Sequence, residues 1–204
     1  MNPLQIIEKY YKKNTPLYEI LISHSEAVAE KALKIIETQN IAETHNVGAR
    51  HALPLLRQNI DKNFVQEAAM LHDIGIFLTN APSIHCFGTH NYIEHGYLGA
   101  EILRAENLPK HALVCERHTG TGLTVQDIIN KKLPLPLRDM QPISIEEQLI
   151  CYADLFFAKT GHFISLRKGM SISEEPIEKI RQKVAAWGEN SVEKFEYWLK
   201  IFGQ

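Results

Sequence analysis

The sequence predicts an all-α protein, a single-domain helical bundle, and three observations carry that reading. Apolar residues recur at three- and four-residue spacing along nearly the whole chain, no run alternates as a half-buried strand would, and capping residues stand where the apolar stripes begin. With 204 residues, 45% of them hydrophobic and 23% charged, the chain can fill one core and has little room for a second.

Leu4, Ile6, Ile7, Tyr10 and Tyr11 predict a short opening helix. Thr15-Pro16 is a start signal, with Thr as N-cap and Pro in the first turn. A long helix over 17–38 follows, and its stripe of Leu17, Ile20, Leu21, Val28, Ala32 and Ile35 includes His24, which therefore points inward. A shorter helix is expected over 48–57. Asp61 caps the next one, which runs through Phe64, Val65, Ala68, Ala69 and Leu71 to His72-Asp73. The Pro, Gly and Asn residues of 75–91 predict a loop with at most a helical turn. Helices over 92–105 and 109–118 come next, then a short one over 124–130 and a Pro-rich connection over 133–142. Ser144 with Glu147 reads as a capping box opening an apolar helix through Leu149, Ile150, Ala153, Leu155, Phe156 and Phe157. The end of the chain, 173–202, reads as one bent or two consecutive amphipathic helices broken near Gly188, with Trp187, Phe195, Tyr197, Trp198 and Phe202 as core or interface aromatics.

Composition excludes several classes. A net charge of -2 offers no basic field for nucleic acid. No apolar run reaches the ~18 residues that span a bilayer, and no signal peptide opens the chain. Cys86, Cys115 and Cys151 are scattered and odd in number, which argues against a disulfide framework or a thiolate zinc site and suits a reducing, cytoplasmic setting. No nucleophile elbow and no dinucleotide fingerprint is present.

What remains is histidine and carboxylate. His24, His72, Asp73, His95, His118 and Asp154 all fall at inward or helix-terminal positions. Singly, each has an ordinary reading: His24 as a hydrogen-bonded core histidine, His72 as a helix end favoured by the dipole, His95 and His118 as exposed, Asp154 as a partner of Lys159 or Arg167. Asp154 nevertheless sits among Ile150, Ala153, Leu155, Phe156 and Phe157, and Asp73 among Leu71, Ile74 and Ile76. An ionised carboxylate in such company costs several kcal/mol unless it is paired or coordinated. Imidazole and carboxylate together suit Fe, Mn, Ni, Co or Zn, and a helical bundle core is a usual place for such a centre.

The order His24, His72-Asp73, Asp154 resembles the H…HD…D signature of the HD superfamily of metal-dependent phosphohydrolases, and the stretch Ala68-Ala69-Met70-Leu71-His72-Asp73-Ile74-Gly75 resembles its HDIG variant. The His95-Gly96-Tyr97 and Glu116-Arg117-His118 segments resemble the two further histidine sites of members that bind two metals, and Tyr152-Ala153-Asp154 resembles the closing aspartate. The likeness covers about 17–160, with 173–202 as a C-terminal helical extension.

The resemblance implies that His24, His72, Asp73 and Asp154 hold a first divalent metal and that Asp73 bridges to a second on His95 and His118. It implies hydrolysis of a nucleotide or other small phosphate ester or anhydride by metal-activated water, with Asp73 and Asp154 as the catalytic carboxylates. Two rival readings share the scaffold: a di-iron oxygenase and a nucleotide-sensing module without turnover. Many HDIG proteins carry Lys or Arg where this chain has Ile76, so phosphate contacts are sought at His85, His90, Arg117 and Lys159. His45, His51, His111 and His162 read as surface or structural, and the chain has the scope to form a homo-oligomer.

Overall fold

The structure, a computed structural model, describes residues 1–44, 60–159 and 173–203, with 39–44 by backbone alone. The helix expected over 48–57, and His45, His51, His162 and Arg167, lie outside the described residues.

The first helix, α1 (Pro3–Tyr10), starts at Asn2, whose side chain accepts the Leu4 amide hydrogen. It ends at Tyr11, whose hydroxyl donates to the Ile74 carbonyl at 2.8 Å. The second, α2 (Pro16–Thr44), begins on the Thr15 cap, with Tyr18 N–H donating to Oγ1 at 3.3 Å. It passes the expected end at 38 because residues 39–44 include neither Gly nor Pro, so nothing stops the helix where its apolar stripe lapses. Its buried face repeats at helical spacing through Ile20, Leu21, His24, Ser25, Val28, Ala29, Ala32, Ile35 and Ile36. Asp61 caps α3 (Lys62–Leu71) as expected, accepting Phe64 N–H at 3.0 Å.

Residues 75–91 are more ordered than the expected loop. Two 3-10 turns, Ile76–Leu78 and Pro82–Ile84, alternate with β1 (Asn80–Ala81) and β2 (Cys86–Phe87), paired antiparallel as Asn80↔Phe87 and Ala81↔Cys86. Two-residue strands are too short to leave an alternating pattern in sequence. A 3-10 turn at Tyr92–Glu94 leads into α4 (His95–Ala105), then α5 (Pro109–Arg117) and α6 (Val125–Asn130). Helix α7 (Ile145–Asp154) stops at Asp154, short of the expected run, although Phe156 and Phe157 still enter the core. Its capping box is only half formed: Ser144 accepts Glu147 N–H at 3.1 Å, but the Glu147 carboxylate accepts from Ile143 N–H and Arg117 instead. The chain ends in two helices, α8 (Ile177–Ala185) and α9 (Glu189–Phe202), broken at Gly188 with φ 122°. The aromatic group is core, as expected, at Phe195, Trp198 and Phe202, while Tyr197 faces outward.

A small apolar cluster gathers Leu123, Ile128 and Met140, and among the described residues two larger ones fill the rest of the interior. One joins the later part of α2 to α7, α8 and α9 around Tyr152, Phe195 and Trp198. The other joins α1, the start of α2, the end of α3, α4 and α5 around Ile20, Leu71, Ile74 and Leu103. His24 lies on α2 between Leu21 of the second cluster and Val28 of the first, so the seam between the clusters is where its imidazole emerges.

Close backbone approach fixes the other side of that seam. A Cβ on Gly75 would stand 2.2 Å from the His95 carbonyl oxygen and 2.5 Å from the Gly99 nitrogen. A Cβ on Gly96 would stand 2.6 Å from the Cys115 carbonyl oxygen. Glycine at these positions lets the turn after Asp73, the first turn of α4 and the end of α5 touch backbone to backbone. Gly75→Ala should therefore push His95 away from Asp73 and cost about 1–3 kcal/mol of stability or more, read by denaturant unfolding; an unchanged midpoint would show that the turn has room.

Candidate metal centre

Six side chains from five stretches of chain meet at the seam. His24 projects from the middle of α2, His72 and Asp73 stand just past α3, His95 opens α4, His118 ends α5 and Asp154 ends α7. His24, His72 and Asp73 are fully buried, His95 and His118 nearly so, and the Asp154 side chain is 13% exposed. The ligand atoms form two groups, His24-His72-Asp73-Asp154 and Asp73-His95-His118, each with its atoms within 4.8 Å of one another.

Asp73 belongs to both groups through different oxygens. Its Oδ2 lies 3.3 Å from His24 Nε2 and 3.3 Å from His72 Nε2. Its Oδ1 lies 3.3 Å from His95 Nε2 and 3.3 Å from His118 Nε2. Asp154 Oδ1 completes the first group at 2.9 Å from His24 Nε2 and 3.4 Å from His72 Nε2. Nitrogen and oxygen donors about 2.0–2.2 Å from one cation, at right angles to each other, are separated by about 3 Å. The observed spacings suit such donors.

The tautomers suit it as well. Nδ1 of His72 meets the Ala69 carbonyl at 2.6 Å, that of His95 the Tyr92 carbonyl at 2.6 Å, and that of His118 the Cys115 carbonyl at 2.7 Å. Each carbonyl belongs to the residue three before the histidine and lies at a helix or 3-10 terminus. A carbonyl can only accept, so Nδ1 carries the hydrogen and Nε2 is left to bind a cation. His95 and His118 then face each other Nε2 to Nε2 at 3.0 Å, lone pair to lone pair when neutral, which a shared cation relieves. Burial holds His95 in that neutral form, pushing its pKa down to about 3.

The first group carries the opposite bias. Burial opposes a charge on His72, but Asp73 and Asp154 outweigh it and push its imidazolium up to about 10. Both carboxyls are held well below the usual carboxylate range despite burial, Lys159 and His72 being the main causes for Asp73, and Lys159 and His24 for Asp154. Lys159 Nζ stands 2.8 Å from Asp73 Oδ2 and 3.7 Å from Asp154 Oδ1. A metal held by this group would have to displace a proton from His72.

Two thiols support the ring positions: Cys115 Sγ donates to the His72 carbonyl at 2.9 Å and Cys151 Sγ to the His118 carbonyl at 3.2 Å. All three cysteines are free and buried, in keeping with the expected absence of a disulfide framework.

A cleft of ≈ 360 Å³ opens beside the first group, bordered by Ser83, Tyr92, Asp154, Phe157, Lys159 and Lys183 among others. Of the four residues considered for phosphate contacts, Lys159 lines it. Arg117 is engaged elsewhere, with Nη1 2.9 Å from Glu147 Oε2, and exposed His90 pairs with Glu94 at 3.3 Å. His85 occupies the turn between β1 and β2 with φ 60°, where its backbone is left-handed. Ile76 is fully buried in the core. Tyr92 was not anticipated from sequence: its ring stacks on His95 at 4.7 Å between centroids and borders the cleft. Its position three residues before a candidate ligand was the available signal. His111, read as surface or structural, is a buried partner of Glu67 and Phe64.

A family model described as HD domain matches residues 21–159. An uncharacterised protein of Methanocaldococcus jannaschii is 36% identical over 135 residues, covering 61% of this chain and 72% of that one. A tRNA (cytidine(56)-2'-O)-methyltransferase of Picrophilus torridus is 38% identical over 95 residues, 46% of this chain and 24% of that one. The protein of that name from Thermoplasma volcanium is 29% identical over 141 residues, 69% of this chain and 32% of that one. No solved structure gives a significant match. Among the described residues, no helix is long and apolar enough to cross a membrane.

A divalent cation that binds only the folded chain stabilises it by mass action. At a hundredfold its dissociation constant the gain should be about 2.7 kcal/mol, seen as a raised melting temperature that His72→Ala removes; melting indifferent to Mn, Fe, Co, Ni and Zn would contradict the site.

Proposed function

The chain belongs to the HD-domain family, and from that premise we propose that it is a metal-dependent phosphohydrolase acting on a small phosphate ester or anhydride, a nucleotide or a similar phosphorylated metabolite. The observation that carries the reading is the division of Asp73, one carboxylate oxygen facing each of two donor groups. On this reading His24, His72, Asp73 and Asp154 hold one cation and Asp73, His95 and His118 a second. The bound metals supply Lewis acidity and lower the pKa of water toward neutrality.

The chain's own groups do the rest. Asp154 is the one carboxylate of the set that borders the cleft, and with Oδ1 buried against His24 and His72 its other oxygen is the atom placed to accept a proton from the attacking water. Buried Asp73 holds the two donor groups at a fixed separation. Tyr92, whose hydroxyl is pushed up chiefly by burial, stays protonated and offers a hydrogen-bond donor at the cleft. The apolar walls of Ile84, Leu155 and Phe157 limit water beside the carboxylates. With Ile76 in the core, two lysines border the cleft, and because Lys183 pairs with Glu175 the cation left to a substrate phosphate is Lys159. The matches to the two methyltransferases take up only 24% and 32% of those chains, so methyl transfer is not carried over.

The test is elemental analysis of protein purified without oxygen, joined to a screen of nucleotides and small phosphoesters with Mn, Ni, Co, Fe and Mg. Phosphate release that His72→Ala and Asp73→Ala both abolish is expected; full activity in either variant would overturn the assignment. His118→Ala should lower the metal content by about one ion per chain. The same nitrogen and oxygen donors suit iron, so oxygen uptake with polyols or phosphonates is measured alongside. Iron-dependent uptake without phosphate release would select the oxygenase, and tight nucleotide binding with no turnover would select a sensor.

A further inference from the structure

Among the described residues, Lys159 is the lysine or arginine whose charge lies within 4.0 Å of the Asp73 and Asp154 carboxylates. Its side chain is 12% exposed, so most of the stem is inside while the ammonium meets Asp73 Oδ2 at 2.8 Å. That oxygen also faces His24 and His72, and Asp154 Oδ1, 3.7 Å from the same ammonium, faces them too. The ammonium therefore draws on the oxygens that the first donor group offers a metal. It follows Asp154 by five residues, past the Leu155 cap of α7 and outside any helix or strand, and carries its ammonium on a flexible four-carbon side chain. The neighbouring open space is the cleft bordered by Ser83, Tyr92, Asp154 and Lys183.

A divalent cation and an ammonium cannot share these oxygens at close range. Two positive charges about 4 Å apart repel by a few kcal/mol near a protein surface, more where the walls are apolar. We propose that Lys159 is a built-in counter-ion that neutralises the first donor group until a divalent metal displaces it, and that the displaced ammonium then lies in the cleft, where it holds the phosphate of the substrate. The counter-ion half stands on the geometry alone; the phosphate half rests on the phosphohydrolase reading. A divalent ion would take the place of the ammonium, so the buried carboxylates have a positive partner both before and after the exchange.

A lysine that merely braced the fold and one that exchanges with metal predict opposite shifts. Lys159→Gln removes the competitor, so Mn or Zn should bind the first group roughly tenfold tighter or more by calorimetry; unchanged or weaker binding would overturn the counter-ion. Lys159→Arg keeps the charge and should restore wild-type affinity. A second measurement uses the unmodified sequence: acetylation of Lys159, followed by peptide mass spectrometry, should rise several-fold on metal addition as the amine leaves the carboxylates. Equal labelling with and without metal would also overturn it. For the phosphate half, the metal-loaded Lys159→Gln protein should bind inorganic phosphate about tenfold more weakly and show a raised KM. Metal exchange without any phosphohydrolysis would remove the functional reading and leave the counter-ion. Hydrolysis with no change in metal affinity or labelling would do the reverse.

Discussion

Asp73 carries a negative charge with no exposure to solvent, and removing such a charge from water costs several kcal/mol unless positive groups surround it. The Lys159 ammonium at 2.8 Å and the charged His72 ring at 3.3 Å meet part of that demand. Nε2 of His24, His95 and His118, also at 3.3 Å, are placed to hold a cation that would meet the rest. These groups are drawn from α2, α4, α5, the end of α3 and the segment after α7. An arrangement of this kind cannot be made by neighbours in sequence. It requires that distant helices terminate, or cross, at one point, and the two apolar clusters are divided so that they do. The seam between them is polar on the inside and walled on both sides by groups that exclude water, which strengthens every electrostatic contact made there.

Helix ends supply the orientation. Three of the four histidines stand at a helical or 3-10 terminus and spend Nδ1 on the carbonyl three residues back, a contact that fixes the ring. The remaining one, His24, is mid-helix and is placed by the stripe it belongs to. The glycines at 75 and 96 and the thiols of Cys115 and Cys151 complete the support, since each lets backbone approach backbone, or caps a carbonyl, within a residue or so of a proposed ligand. A bulkier residue at any of these places would move a ring by a distance comparable to the tolerance of a metal site.

The legible part of this design was what repeats or caps. Helical spacing showed the all-α class, Thr15 and Asp61 marked helix starts, and the expense of burying Asp73 and Asp154 pointed to a shared cation. Which histidines gather at those carboxylates was legible only through the order of motifs, because the spacing of His95 and His118 gives no hint that their rings lie 5.0 Å apart. The hairpin between β1 and β2 was hidden by its brevity. Arg117 illustrates a different limit: a basic residue next to His118 looked available to substrate, but the adjacent position on a helix faces another way, here toward Glu147 on α7. Glu147 in turn gave up its reciprocal bond to the Ser144 amide, a local rule overridden by a tertiary partner.

Ile76 and Lys159 together explain how the cleft differs from the pattern the motifs suggested. A basic residue three positions after Asp73 would have to reach a phosphate from the buried 3-10 turn at Ile76–Leu78, and here that position serves the core. The positive charge instead comes from the segment leaving α7, where it is in contact with the carboxylates. That change of place alters what the cation can do. From the turn after α3 it would stand apart from the first donor group and serve substrate alone. From beyond Asp154 it touches the donor oxygens themselves, so under the proposed exchange metal occupancy and substrate binding would draw on the same side chain and be coupled by charge.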